Sequence, residues 1–182
     1  MSQYMNLIGQ NARKASLEKI NTKIKNKVLK KYTSLLDKEK NSILNANAKD
    51  LQFALKKKLK NNLIDRLALN QKKLNDIKNS IKKIIKLKDP VGNTLEKWSR
   101  PSGLKINKVS IPIGVIGVIY ESRPNVTSDV ASLCFKSGNS VILKGGSEAI
   151  NTNKILAKLF RKALKENEVN ENFVQFVDSK NR

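Results

Sequence analysis

Residues 111–149, IPIGVIGVIYESRPNVTSDVASLCFKSGNSVILKGGSEA, decide the fold of this chain. The run IGVIGVI at 113–119 is apolar and interrupted only by glycines, which is typical of a parallel strand covered on both faces. We expect a helix at 126–136, a second strand at 140–144, a helix at 148–166 and a third strand at 173–177. Strands and helices that alternate over short loops predict a right-handed parallel α/β unit.

The residues before this unit predict helices. Over residues 3–88, apolar side chains recur at spacings of three and four, as on one buried face of a helix. Asn70 is the expected N-cap of the last helix, and Asp89-Pro90 ends it because proline cannot continue a helix. The apolar stripes place Leu7 on a buried face, together with a second set from the middle of the segment: Ile43, Leu44, Ala48, Leu51, Ala54 and Leu55.

Between the helices and the α/β unit, residues 91–110 contain Gly92, Pro101 and Gly103. These turn-forming residues separate two short alternating stretches, 94–99 and 104–110. We therefore expect a hairpin or a strand-loop-strand excursion here.

Composition limits the classes of protein that remain. The 182 residues contain no histidine, which excludes His-based zinc sites and Ser-His triads, so we expect no metal. We find no signal peptide and no apolar run long enough to span a membrane, and the single cysteine suits a reducing compartment. A cytoplasmic location is the expectation that follows.

The net charge of +22 admits two interpretations. Most of the basic residues are lysines on polar faces of the helical segment, as a genome biased toward Lys, Asn and Ile codons would give. Alternatively, the basic surface attracts anions. A nucleic-acid module is the corresponding functional alternative, although the aromatic content of 5% gives little support for base stacking.

Two loops of the α/β unit are candidate binding segments. Ligands of open parallel sheets bind at the carboxyl ends of the strands, where helix N-termini offer backbone N–H groups. YESRPNVTSD at 120–129 follows the first strand, and KGGSE at 144–148 follows the second. Gly145 and Gly146 would let the backbone approach a ligand, and Lys144 adds a cation. KGGSE matches neither G-x-G-x-x-G nor a P-loop, so a plain strand-to-helix turn is the alternative.

Taken together, these motifs resemble the gamma-glutamyl phosphate reductase (glutamate-5-semialdehyde dehydrogenase) family of the aldehyde dehydrogenase superfamily. The stretch 111–149 closely resembles the opening of that family's cofactor domain. NANAKDL at 45–51, LIDRLAL at 63–69, DPVG at 89–92 and WSRPSGLKI at 98–106 occur in the family's order, so the resemblance covers nearly the whole chain.

The resemblance implies an enzyme of proline biosynthesis. It would reduce L-glutamate 5-phosphate to glutamate 5-semialdehyde and phosphate with NADPH. A cysteine would attack the acyl phosphate, and hydride would then reduce the thioester. The implied fold is aldehyde dehydrogenase-like: an N-terminal helical segment at 1–90, a hairpin and oligomerisation element at 91–110, and part of a parallel-sheet dinucleotide-binding domain at 111–182. Because the chain ends after the third strand, we expect a truncated fold without the catalytic domain.

The resemblance also implies roles for individual residues. The cofactor-binding residues would be Ile119, Tyr120, Glu121, Lys144, Ser147 and Glu148. Asn125 would stabilise the oxyanion, and Arg123 would bind an anionic group of the substrate. A salt bridge from Arg123 to Glu121 or Asp129 is the structural alternative.

Cys134 is not the expected nucleophile. It lies in VASLCFKSGN on a helix whose Val130, Leu133 and Cys134 should face the sheet, and a buried cysteine behaves as a small hydrophobe. The chain alone is therefore expected to be inactive, with an exposed and aggregation-prone third strand.

The expected partners are the small-molecule substrate, further copies of the same protein in a homo-oligomer, and a glutamate 5-kinase, with neither a membrane nor a specific nucleic acid. An inert remnant of a decayed gene is the remaining alternative.

Overall fold

The structure, a computed structural model, describes residues 3–179. It begins with the helices α1 (Gln3–Ser16), α2 (Thr22–Lys38), α3 (Lys40–Lys56), α4 (Asn61–Leu67) and α5 (Gln71–Lys86). An antiparallel hairpin follows, formed by β1 (Thr94–Ser99) and β2 (Lys105–Val109). The remaining elements are β3 (Val115–Tyr120), α6 (Pro124–Lys136), β4 (Ser140–Gly145), a 3-10 turn (Ser147–Ala149), α7 (Ile150–Lys165), a second 3-10 turn (Glu171–Phe173) and β5 (Val174–Phe176).

The second sheet is parallel, as the alternation of strands and helices predicted. β4 lies between β3 and β5, with Tyr120 opposite Gly145 and Leu143 opposite Phe176. α6 connects β3 to β4, and α7 connects β4 to β5. α1 also packs on β4, so that helices from both halves of the chain enclose the central strand. The prediction of an α/β fold is confirmed.

One large core joins the helical half to the sheet. It combines apolar residues of α2, α5, α6 and α7 with those of β4 and β5. Tyr32 of α2 packs on Phe160 of α7 with ring centroids 4.6 Å apart, and Phe135 of α6 contacts both Phe160 and Phe173 edge-on. The helices at 3–88 therefore fold onto the sheet. Among the described residues, no helix is long and apolar enough to cross a membrane.

Three predicted core positions in the helical half are wrong. Leu7, Ala48 and Leu55 are exposed. On α3, the buried face carries Asn47 and Asp50. The reason is that this face meets the end of α4 and the start of α7, where main-chain groups need polar partners.

The expected burial of the strands must also be corrected. β3 is not covered on both faces, because Ile119 is 87% exposed and the other side chains of the strand are at most half-buried. β5, which was expected to be exposed, contributes buried Val174 and is followed by buried Val177, since α7 and α1 pack against it. α6 begins at Pro124, two residues earlier than predicted, since proline is well suited to the first turn of a helix. On that helix Leu133 is exposed, whereas Cys134 is buried as predicted.

Candidate functional site

The carboxyl ends of the three parallel strands form one edge of the sheet. β3 ends at Tyr120, β4 at Gly145 and β5 at Phe176, and the register places these ends side by side. The loops that leave this edge include both segments singled out in the sequence. Loops at such an edge carry backbone N–H groups and side chains that can surround a ligand.

Two side chains approach the main chain closely at Gly145 and Gly146. A Cβ atom on Gly145 would lie 2.3 Å from the Asn153 Nδ2 atom, and one on Gly146 would lie 2.1 Å from the Glu148 Oε1 atom. Both distances are far shorter than any van der Waals contact. The glycines therefore let Asn153 and Glu148 lie directly against the main chain of the loop.

Glu148 joins the two predicted loops. Its Oε1 atom accepts a hydrogen bond of 2.5 Å from the hydroxyl of Ser122, in the loop after β3. Ser122 is buried and Glu148 is half-buried, whereas the neighbouring Ser147 and Glu121 are exposed. Sequence reasoning missed Ser122, although its position within the SRPN motif was a usable signal.

Lys144 connects the edge to the loop after β5. Its side chain is half-buried, and its ammonium donates to the main-chain oxygen of Ser179 at 2.5 Å. The Lys144 ammonium thus lies at the loop that follows β5.

Tyr120 is held between β3 and α6. Burial raises the pKa of its phenol to about 12, so the hydroxyl is protonated at neutral pH. The Thr127 hydroxyl donates to Asn153 Oδ1 at 2.9 Å, and Tyr120 can then donate to Thr127 at 2.7 Å. The Asn153 Nδ2 atom faces Gly145 and has no hydrogen-bond partner among the described residues.

Asn125 and Arg123 lie at the start of α6. Asn125 is exposed, and its Nδ2 atom donates to Asp129 Oδ2 at 3.2 Å. An amide nitrogen carries two hydrogens, so one remains available for a ligand. Among the described residues, the Arg123 guanidinium forms no ion pair, and the salt bridge considered above is not observed.

A cleft of about 470 Å³ opens beside these two residues, between α5 and the start of α6. The charged and amide side chains that line it come from α4, α5, α6 and the residue before α6. They are Arg66, Lys73, Asp76, Arg123, Asn125 and Asp129. The site thus has two parts, the glycine loop at the sheet edge and this cleft.

Cys134 contributes to neither part. It is buried in the core, and burial raises the pKa of its thiol to about 11. A thiol of that pKa is almost entirely protonated at neutral pH, and only the thiolate is a good nucleophile.

Comparison with known proteins finds relatives of similar sequence and fold. No family model matches the chain. A gamma-glutamyl phosphate reductase of Persephonella marina is 44% identical over 181 residues, which cover 98% of this chain and 41% of the relative. The crystal structure of the Thermotoga maritima gamma-glutamyl phosphate reductase superposes with a TM-score of 0.94 at 42% identity, over 98% of this chain and 44% of that one.

A more distant structure shows the wider fold. A putative aldehyde dehydrogenase of Bacillus subtilis matches with a TM-score of 0.68 at 17% identity, over 97% of this chain and 37% of that one. The aldehyde dehydrogenase-like fold predicted from the sequence is confirmed. Neither the nucleic-acid module nor the inert remnant gains support from these relatives. The chain spans about two fifths of the length of the curated relatives that it matches. Over that length, the chain is similar in both sequence and fold to the gamma-glutamyl phosphate reductases.

Proposed function

We propose that the protein containing this chain reduces L-glutamate 5-phosphate to L-glutamate 5-semialdehyde and phosphate, a step of proline biosynthesis. The observation that carries the proposal is the 44% identity to a gamma-glutamyl phosphate reductase over 98% of the chain. The glycine loop and the adjoining cleft are the sites at which this segment would serve the reaction.

A nicotinamide dinucleotide, specifically NADPH, is the proposed cofactor. The sheet edge suits it because the loops after β3 and β4 meet there through the hydrogen bond from Ser122 to Glu148, and loops at this edge of an open parallel sheet surround ligands. Lys144, Ser147 and Glu148 would hold the adenosine ribose and its phosphate, while Ile119, Tyr120 and Glu121 would line the strand end. Because Thr127 holds the Tyr120 hydroxyl, we assign the contact at Tyr120 to its main chain. When bound, the nicotinamide supplies the hydride that reduces the acyl carbon.

The other groups of this chain would act on the acyl phosphate. We assign the nucleophile to a cysteine in the part of the relatives' length that this chain does not span, because Cys134 is buried and protonated. Attack by the thiolate forms a carbon–sulfur bond and breaks the bond to phosphate. Asn125 would donate its second amide hydrogen to the oxygen that gains charge, and Arg123 would bind the departing phosphate.

These assignments imply a role for each of the three segments of the chain. We propose 1–90 as the helical support of the cofactor domain, 91–110 as an oligomerisation element and 111–182 as part of the NADP-binding unit. The proposed setting is the cytoplasm, since a lone buried cysteine suits a reducing compartment. Substrate would come from a glutamate 5-kinase, and the working form would be a homo-oligomer.

A hybrid enzyme tests the function. Residues 1–182 would replace the matching segment of the Thermotoga maritima relative, and NADP⁺ reduction would be followed with glutamate 5-semialdehyde and phosphate. We expect turnover that requires both substrates and prefers NADP⁺ over NAD⁺. A folded hybrid without activity, beside an active parent enzyme, would reject the proposal. The 182-residue chain alone should show no turnover and only weak NADPH binding.

A further inference from the structure

The cleft between α5 and α6 contains two cationic groups that the proposed chemistry does not use, Arg66 and Lys73. Arg66, on the last turn of α4, lines the cleft together with Arg123 and Asn125 at the start of α6. The cleft volume of about 470 Å³ lies within the range of small-molecule sites. Asn125 and Arg123 mark the reacting end of the proposed substrate site, and Arg66 adds a further cation to the lining of the same cleft.

The Arg66 guanidinium is available for a ligand. Among residues 3–179 it forms neither an ion pair nor a hydrogen bond. The neighbouring Lys73 differs, because its ammonium donates to the main-chain oxygens of Asp65 and Ala68, each at 2.7 Å. Arg66 and Arg123 are therefore the two unpaired cations of the cleft.

The backbone that carries Arg66 is firmly held. Buried Asn47 donates to the oxygen of Leu67 at 2.9 Å and accepts from the N–H of Leu69 at 2.8 Å. Together with the Lys73 bonds, these contacts fix the end of α4 on both sides of the arginine. Ligand-binding side chains gain affinity from such prior positioning.

The cleft also suits the rest of an amino-acid ligand. Leu69, Ile77 and Pro124 provide apolar wall for a short methylene chain. Asp76 and Asp129 line the same cleft and supply negative charge for an ammonium group. One Asp129 oxygen is buried without a hydrogen-bond partner among the described residues.

We propose that Arg66 is a specificity-determining residue that binds the α-carboxylate of the substrate in this cleft. The inference rests on the proposed function, because it names the far end of the same substrate. A guanidinium holds a carboxylate through two parallel hydrogen bonds, which lysine or glutamine cannot reproduce. Arg66 would thereby select an acyl phosphate or aldehyde that carries an amino-acid end.

Kinetics of the hybrid enzyme test the role of Arg66. In Arg66→Gln, the KM for glutamate 5-semialdehyde should rise by about tenfold or more, while the KM for NADP⁺ stays unchanged. The hybrid with Arg66 should strongly prefer glutamate 5-semialdehyde over 4-aminobutanal, which lacks the carboxylate. The Arg66→Gln hybrid should lose most of that preference. Lys72→Gln, an exposed change on α5, is the matched control and should leave both values unchanged. An active hybrid whose preference survives Arg66→Gln would overturn the inference and leave the proposed function standing.

Binding to the 182-residue chain gives a readout independent of turnover. L-Glutamate should shift the NMR amide signals at the end of α4 and the start of α6 saturably, and 4-aminobutyrate should not. Arg66→Gln should weaken glutamate binding by about tenfold or more. The rest of the spectrum should remain that of a folded chain. Equal shifts with the two ligands, or no saturable shift with L-glutamate, would overturn the inference even if the hybrid is inactive.

Discussion

Asp50 links α3 to a helix that begins about a hundred residues later. Its carboxylate, which is almost fully buried, accepts hydrogen bonds from the main-chain N–H groups of Asn151 and Thr152 at 3.1 and 2.8 Å. The Asn151 amide and the Thr152 hydroxyl donate to it as well. These N–H groups belong to the first turn of α7, where they lack intrahelical partners and where negative charge is favourable. A single side chain of the helical half therefore caps the start of α7, where the chain leaves the glycine loop.

We expect Asp50→Asn to lower the free energy of unfolding by about 2 kcal/mol, because an amide group would place its own hydrogens against those donors. Urea denaturation followed by circular dichroism would measure the change. The control is Asp65→Asn on α4, an exposed position where the change should stay within about 0.5 kcal/mol. Equal losses in the two variants would contradict the capping role.

Asp89 couples stability to pH. Burial raises the pKa of its carboxyl, but hydrogen bonds from the Val91 N–H, the Lys25 ammonium and the Thr22 hydroxyl outweigh that effect, so the net pKa is lowered. A carboxyl with a lowered pKa in the folded state stabilises the protein above its unfolded pKa of about 3.9. That contribution to stability is lost as the pH falls through the lowered pKa of Asp89 in the folded state.

The prediction is that Asp89→Asn flattens the acid side of the stability profile. The unmodified chain should lose stability steeply below about pH 4, and the variant should show a smaller slope there while being less stable at pH 7. Thermal unfolding at a series of pH values would measure both. An unchanged acid slope would show that the Lys25–Asp89 pair does not contribute to the pH dependence.

At the scale of elements, the sequence predicted the helices and strands well wherever one local signal dominated. Asn70 caps α5 by accepting from the Lys73 N–H at 2.8 Å, and the parallel strands lie within two residues of their predicted positions. Burial was predicted less well, because it depends on neighbours distant in sequence. Apolar spacing on α3 could not reveal that its inner face meets main-chain groups of α4 and α7. Likewise, the composition of β3 could not indicate that it forms an edge. Of the candidate site, the two loops were predictable from their motifs, whereas Ser122, Asn153 and the α4 side of the cleft required the packed structure.

The β1–β2 hairpin is the element least involved in the core. Every β1 side chain is exposed, including Trp98, and the strands pack chiefly on each other. Its base is closed by hydrogen bonds of 2.9 Å from the Gly92 N–H to the Ser110 oxygen and from the Ser110 N–H to the Asn93 oxygen. A short linker could therefore replace it without displacing the rest of the chain.

Replacing residues 94–109 by Gly-Gly should leave the melting temperature of the chain within a few degrees, because little buried area is lost. In the hybrid enzyme the same change should shift the oligomer toward smaller species in analytical ultracentrifugation. The parent hybrid at equal concentration is the control. A large fall in melting temperature would show that the hairpin supports the core, and an unchanged oligomer would reject its proposed role.

For the whole molecule, apolar surface is concentrated near β3. Ile111, Ile113 and Ile119 are each at least 80% exposed, and β3 has a free edge among the described residues. Strand edges beside apolar surface favour association with other chains. β5 forms the other edge of the sheet, but its Val174 is buried, so the exposed apolar side chains that favour association lie near β3.

Ile113→Lys should reduce concentration-dependent self-association of the 182-residue chain, because it places a charge beside that edge. Static light scattering over a range of concentrations would measure the effect. Leu17→Lys, at another exposed apolar position, is the control and should leave association unchanged. If Ile113→Lys has no effect on self-association, another surface drives it.

The long separation between Asp50 and α7 also has a consequence for biosynthesis. A ribosome makes α3 well before the helix whose first turn it caps, since Asn151 follows Asp50 by 101 positions. Until that turn emerges, burial of α3 would leave a charged carboxylate without donors, which is unfavourable. We therefore expect the nascent helices to remain loosely associated during most of translation and to acquire protease resistance together with the glycine loop, late and in one step.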